Sequence, residues 1–322
     1  MTRVAVLGAG AWGTSIASVL AARHDVTLWA RDPAQADSLE RTRRNERYLP
    51  GFSVPDALKI TATFPAADLY LAATPVAGLR SVAEMAQGKA PIVWLCKGFE
   101  RGSGLLPHQI VEQTLGANMR CGALSGPSFA QEVARGLPCA LTLAARDAAF
   151  AREAAAIVHG GRVRVYYSTD LVGVEIGGAV KNVMAIAAGI CDGLGLGHNA
   201  RAALITRGLA EIARLGATMG AQPDTIFGLT GAGDLILTAT GELSRNRRVG
   251  LQLAEGHALD RILKTLGHVA EGVYTAREVA KLATTRGVEM PVSEAVNAVL
   301  EAKLAPNSAV EQLLARDPKK EA

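Results

Sequence analysis

The sequence has little of what nucleic-acid, redox-thiol and metal chemistry require. Aromatic residues make up only 4% of 322 residues, which leaves few faces for stacking bases. The net charge of +4 is too small for a nucleic-acid protein, although it permits a local pocket for a small anion. The four cysteines, Cys96, Cys121, Cys139 and Cys191, stand alone with no C-x-x-C pair, which excludes zinc and dithiol spacings. Read as small buried thiols, they point to a reducing, cytoplasmic compartment. The six histidines form no H-E-x-x-H, so no metal is expected. Charge is absent from Val4 to Ala22, after Arg3, in imitation of a signal peptide. Glycines interrupt that run and no second apolar span is read further on, so membrane insertion is not expected.

What is present is ample apolar material: 49% hydrophobic against 20% charged residues, enough for two domains with sizeable cores. The first half alternates. Short apolar runs at Arg3–Leu7, Asp25–Trp29, Asp68–Ala72, Pro91–Leu95, Cys121–Leu124, Cys139–Ala144 and Val163–Tyr167 read as strands. Helical patterns lie between them, at Ala11–Ala22, Val76–Gln87, Ser103–Leu115 and Asp147–Val158. After Ser168 no strand is read. Helices are expected from Asp170 to Cys191, Asn199 to Met219, Arg245–Glu255, Asp260–Leu266, Glu271–Thr285, Pro291–Leu300 and Pro306–Leu314.

The string 4-VAVLGAGAWGTSIASVL-20 places G-x-G-x-x-G after the first strand and at the mouth of a helix. Gly8 suits the tight turn, Gly10 lets a diphosphate approach the backbone, and Gly13 lets helix and strand pack closely. The helix start supplies N–H groups and partial positive charge. The fold class is therefore α/β: a Rossmann-type dinucleotide-binding domain at 1–168, with a mostly parallel sheet, followed by an all-α substrate-binding domain at 169–322. Strand two ends Trp29-Ala30-Arg31-Asp32. An acid is expected at Ala30 for an NAD site; Arg31 instead suits a 2′-phosphate, so NADPH is favoured, with NADH possible through Asp32. A solvated surface role for Arg31 remains the alternative.

No Tyr-x-x-x-Lys is present. One lysine, Lys181, sits in the apolar segment 173-GVEIGGAVKNVMAIAAGI-190, with Gly177 and Gly178 one turn earlier leaving room above it. Desolvation there lowers a lysine pKa toward the acid–base range. A snorkelling lysine, or one paired with Glu175, fits the spacing equally well. Arg245, Arg247 and Arg248 read either as phosphate donors or as a solvated helix start. Asp234 and Ser128 read equally as local caps.

Several strings, taken together, resemble the bacterial NAD(P)-dependent glycerol-3-phosphate dehydrogenase family: GAGAWGT (8–14), CKGFE (96–100), SGPSFAQE (125–132), GGAVKNV (177–183), NARAALITRGLAE (199–211), LTGAGDL (229–235), SRNRRVG (244–250) and VAEG (269–272). The related hydroxyacid dehydrogenases carry asparagine four residues after the lysine; here position 185 is alanine and Asn182 follows Lys181 directly. The resemblance implies interconversion of dihydroxyacetone phosphate and sn-glycerol 3-phosphate for phospholipid synthesis, by a homodimer. It makes Lys181 the proton donor and acceptor. It places Lys97 between nicotinamide and substrate, and Gly126, Ser128, Asp234, Ser244, Arg245 and Asn246 around the substrate. Gly8, Gly10, Trp12, Gly13, Arg31, Lys97, Ala130, Arg245, Val269 and Glu271 would contact cofactor.

Overall fold

The structure is a computed structural model that describes residues 1–266 and 270–316. Val269, a residue expected at the cofactor, lies outside the described residues. The chain divides into two compact units, Met1–Glu175 and a second from Ile176 onward.

The first unit runs β1 (Arg3–Leu7), α1 (Ala11–Leu20), β2 (Asp25–Trp29), α2 (Pro33–Thr42), β3 (Lys59–Thr61), β4 (Leu69–Ala72), α3 (Val76–Ala86), β5 (Ile92–Trp94), α4 (Pro107–Leu115), β6 (Cys121–Ser125), α5 (Ala130–Ala134), β7 (Cys139–Ala144), α6 (Ala148–Val158) and β8 (Val163–Ser168). The strands form one sheet in the order β3-β2-β1-β4-β5-β6-β7-β8, with every pair parallel except β6–β7. Parallel strands covered on both faces should be apolar along their whole length. Val4, Ala5, Val6 and Leu7 of β1 accordingly have at most 1% of their surface exposed. The chain reverses its direction across the sheet between β1 and β4, the point at which doubly wound sheets open a crevice for ligands.

Three elements of this unit lie outside the sequence reading. In α2, the Asp32 side chain accepts from Ala34 N (3.0 Å) and Pro33 occupies the first turn. β3 is a three-residue edge strand, and α5 is a single short turn of helix. One expected helix is shorter: α4 begins at Pro107, not Ser103. Ser103 instead closes a turn by donating to the Glu100 carboxylate (2.6 Å), which also holds Arg80.

The second unit is helical throughout its described residues. Helix α7 (Leu171–Gly193) enters it from the first, and α8 (Gly197–Ala217), α9 (Pro223–Ile226), α10 (Asp234–Thr240), α11 (Arg245–Ala254), α12 (Leu259–Leu266), α13 (Glu271–Arg286), α14 (Pro291–Leu300) and α15 (Pro306–Leu314) follow. The change from strands to helices falls at Ser168, but the packing divides seven residues later, inside α7. A π-helical turn, Leu229–Gly233, leads directly into α10. Helix α7 corrects the expectation that no second apolar span follows. By length and composition it is able to cross a membrane, yet 94% of its apolar window is buried inside the fold, where it serves as a core helix. It packs closely because its glycines admit neighbouring backbone: a Cβ on Gly189 would sit 2.0 Å from the Arg247 carbonyl oxygen.

Of the cysteines, Cys191 is buried and the other three are half-buried. Burial pushes the Cys121 thiol up to about 12, so its thiolate is not available near neutral pH.

Candidate active site

The glycine loop occupies the switch point of the sheet. Gly8 has φ +124°, and a Cβ there would lie 2.8 Å from the Ala73 carbonyl oxygen just after β4. At Gly13 a Cβ would fall 2.0 Å from the Gly8 carbonyl oxygen, so helix and loop touch only because that atom is missing. Gly10 differs from both: nothing lies within 4 Å of its added Cβ. Gly10 is also the N-cap of α1, and no side chain caps that helix end. The first-turn N–H groups therefore lack a side-chain acceptor and carry the positive end of the helix dipole beside open space. These features fit the diphosphate of a dinucleotide.

Around this loop, Trp12 is half-buried in the first turn of α1. Ala130 opens α5, and its carbonyl accepts from the buried Ser15 hydroxyl of α1 (2.8 Å). Arg31 follows β2, exposed, with no partner among the described residues. Ala30, where an acid was expected, is 1% exposed. The Asp32 carboxylate is engaged in capping α2, which competes with a turn toward a ribose.

A second group gathers on the Gly126 carbonyl. Lys97 Nζ donates to it at 3.2 Å and Ser128 Oγ at 3.0 Å. Gly126 itself has φ +135° and packs against the Ala140 and Leu141 backbone. Ser128, read as a local cap, does not cap a helix, since its hydroxyl is spent on the Gly126 carbonyl. The cap is Phe129, and α5 spans only five residues, too short for a substantial dipole.

In the second unit, Lys181 is 7% exposed and Asp234 is 2% exposed. Lys181 Nζ donates to Asp234 Oδ1 (2.9 Å) and to Thr238 Oγ1 (2.8 Å). Thr238 Oγ1 donates in turn to the Asp234 carbonyl (2.6 Å). A buried ammonium needs a carboxylate and further acceptors to offset its lost hydration, and all are present. The π turn sets this up by delivering Asp234 to the first turn of α10, and Thr238 follows one turn later on the same face.

Two readings of Lys181 are corrected. Its partner is Asp234 and not Glu175, which belongs to the first unit. There the Glu175 carboxylate accepts from His108 N (2.8 Å) and pairs with the His108 ring. Burial pushes the Glu175 carboxyl above its ordinary range, against the pull of His108. The space left by Gly177 is also taken: a Cβ there would meet the Thr230 carbonyl oxygen at 3.1 Å and the Gly231 backbone.

Asn246 is 8% exposed, donates to Asn182 Oδ1 (2.8 Å) and accepts from Gly272 N (3.1 Å). Ser244 is the N-cap of α11 and accepts from Arg247 N (3.2 Å). Glu271 is the first residue of α13. Arg245 points to solvent, with no partner among the described residues. Thr238 and Asn182 are network members that the sequence reading passed over. The D-x-x-x-T spacing of Asp234 and Thr238 is the signal that could have found the first.

A dinucleotide cradle on a Rossmann-type sheet, carried in one chain with a helical unit holding a buried lysine–carboxylate pair, defines a nicotinamide-dependent dehydrogenase. Comparison with known proteins narrows the class. Profiles of the NAD-dependent glycerol-3-phosphate dehydrogenase N-terminus and C-terminus match residues 3–151 and 170–311. A glycerol-3-phosphate dehydrogenase of the NAD(P)+ type from Dechloromonas aromatica is 59% identical over 326 residues, 99% of each chain. Another from Aromatoleum aromaticum is 60% identical over 99% of this chain and 100% of its own. The crystal structure of the Coxiella burnetii glycerol-3-phosphate dehydrogenase superposes with a TM-score of 0.93 at 40% identity, covering 98% of this chain and 99% of that one. The chain belongs to the NAD-dependent glycerol-3-phosphate dehydrogenase family.

Proposed function

We propose that the chain interconverts dihydroxyacetone phosphate and sn-glycerol 3-phosphate with NAD(P)H, and that Lys181 exchanges the proton. The buried triad of Lys181, Asp234 and Thr238 carries this reading. It keeps one ammonium in place in an apolar helix, paired with a buried carboxylate. The bound reduced nicotinamide supplies the hydride. In the reducing direction Lys181 Nζ gives a proton to the substrate oxygen, while the Asp234 carboxylate holds the ammonium in position. The neutral amine left on Lys181 then takes a proton from solvent, which regenerates the ammonium.

The remaining roles divide by unit. On the first, Gly8, Gly10, Gly13, Trp12, Arg31 and Ala130 serve the cofactor, and Lys97, Gly126 and Ser128 serve the substrate. On the second, Asp234, Ser244, Arg245 and Asn246 serve the substrate, with Arg245 and Glu271 also near cofactor. The unpaired Arg31 supports a preference for NADPH over NADH. Cytoplasmic location, a homodimeric state and supply of glycerol 3-phosphate for phospholipid synthesis complete the proposal. The test is loss of nicotinamide absorbance on mixing protein, NADPH and dihydroxyacetone phosphate, with a 2-methyl-3-oxo acid in parallel. Turnover with the oxo acid and none with the phosphate would overturn the assignment.

A further inference from the structure

We propose that Asn45 is a positioning residue for the dinucleotide diphosphate. It acts by fixing the orientation of one peptide plane in the glycine loop. This inference rests on the dinucleotide reading of that loop.

Asn45 lies beyond α2, remote in sequence from the loop, and is only 2% exposed. Its Nδ2 donates to the Ala9 carbonyl (3.0 Å) and to Thr14 Oγ1 (2.7 Å), and its Oδ1 accepts from Tyr48 N (3.3 Å). Gln35 Nε2, from α2, donates to the same Ala9 carbonyl (2.8 Å). One carbonyl in the middle of G-A-G is thus held by two side-chain amides. Thr14 is fully buried, and its N–H bonds Gly10 O (2.9 Å), so the clamp is tied into the first turn of α1.

The consequence follows from peptide geometry. The Ala9 C=O and the Gly10 N–H belong to one trans peptide and point in opposite directions. Drawing the carbonyl toward Asn45 and Gln35 sends the Gly10 N–H the other way. That N–H has no acceptor among the described residues, and nothing lies within 4 Å of a Cβ added at Gly10. Left unclamped, the plane is free to rotate, because the glycines of the loop resist rotation less than other residues. The clamp therefore orients an anion-binding donor before any ligand arrives, which reduces the ordering cost of binding. It acts on a part common to NADH and NADPH.

The test is titration of the full chain with NADPH and with NADH, read by nucleotide fluorescence, alongside thermal unfolding and steady-state kinetics. Asn45→Ala should weaken both nucleotides by the same factor, about 10-fold, the equivalent of roughly two ordinary hydrogen bonds. KM for cofactor should rise in step, with kcat at saturating cofactor changed less than about twofold. Asn45→Asp should bind worse than Asn45→Ala, since it sets a carboxylate oxygen against the Ala9 carbonyl. Gln35→Ala, on a half-buried side chain, should give a smaller equal weakening and stands in if the Asn45 variants do not fold. Unchanged affinity in folded variants, or weakening confined to NADPH, would overturn the inference. A wild-type chain that binds neither nucleotide would remove the dinucleotide reading itself, and the inference with it.

Discussion

Replacing Lys181 by methionine removes the ammonium and keeps a side chain of similar length. Its neighbours determine two separable effects. The first is chemical. If Lys181 carries the proton, its loss should lower kcat by at least about 10²-fold, the low end for general acid–base catalysis. The cofactor cradle lies on the other unit and contains no atom of Lys181, so nucleotide affinity should hold. The second effect is structural. Asp234 is 2% exposed and would be left as a buried carboxylate whose ammonium partner is gone. Removing one partner of a buried pair costs about 3–5 kcal/mol.

A low kcat in the single variant therefore has two readings, lost chemistry or a damaged unit, and a second substitution separates them. Lys181→Met with Asp234→Asn removes both charges, and the new amide can still bond Thr238. The double variant should recover most of the unfolding midpoint lost by the single one and none of the activity. The assay is NADPH oxidation with dihydroxyacetone phosphate, beside thermal unfolding and fluorescence titration of NADPH. A folded Lys181→Met protein with near-normal kcat refutes the proton role. Recovery of activity in the double variant would show that the lysine only neutralised a carboxylate.

Arg31→Ala should weaken NADPH at least about 10-fold while leaving NADH nearly unchanged, because only NADPH offers a 2′-phosphate to an unpaired guanidinium; equal weakening in titrations with both nucleotides removes that role. Arg245→Lys should raise KM for dihydroxyacetone phosphate and Arg245→Ala should raise it further, since lysine keeps the charge but loses the fork; an equal fall in kcat/KM with unphosphorylated dihydroxyacetone would show the arginine does not read the phosphate. Glu211 of α8 caps α14 through Val292 N (2.6 Å), Ser293 N (3.1 Å) and Ser293 Oγ (2.9 Å), yet burial pushes its carboxyl above the ordinary range. A carboxyl raised on folding stabilises fully below its unfolded pKa and loses that contribution as pH rises through the folded value. Wild type should therefore lose thermal stability relative to Glu211→Gln, its neutral isostere, as pH rises from acid; a wild type that gains on the variant toward alkaline pH contradicts the burial argument.

The strands were legible because a parallel sheet buried on both faces demands unbroken apolar runs. β2 and β7 occupy the residues expected for them. What escaped had weak or misleading local signals. β3 has three residues at a sheet edge, so burial imposes little pattern on it. The LTGAG turn and α10 were missed because glycines read as a break. In the structure a Cβ on Gly231 would lie 1.9 Å from the Ile226 carbonyl oxygen, so this glycine keeps a close contact inside a π turn. The pairing of Lys181 was out of reach for a different reason. Glu175 precedes it by six residues on the same helix, whereas Asp234 is 53 residues away, and only tertiary packing selects between them. Asn45 carried no motif at all, since what it recognises is a backbone carbonyl.

The run Ser244-Arg245-Asn246-Arg247-Arg248 shows how a helix resolves a charge cluster that sequence leaves ambiguous. Successive side chains on a helix diverge by about 100°, so five neighbours cannot share one role. Ser244 is spent on the cap and Asn246 turns inward to Asn182. Arg247 is taken by Asp192 through Nη2 (2.7 Å), and Asp192 also holds Arg201 (3.0 Å). A guanidinium already matched to a half-buried carboxylate is a poor phosphate ligand, because binding would require breaking that pair. Arg245 and Arg248 remain exposed and, three residues apart, lie on one face of α11. The capacity to bind an anion therefore contracts from three arginines to two. This is why Arg245→Ala alone should weaken phosphate recognition without abolishing it, and why Arg247→Ala should instead loosen the junction of α7 with α11.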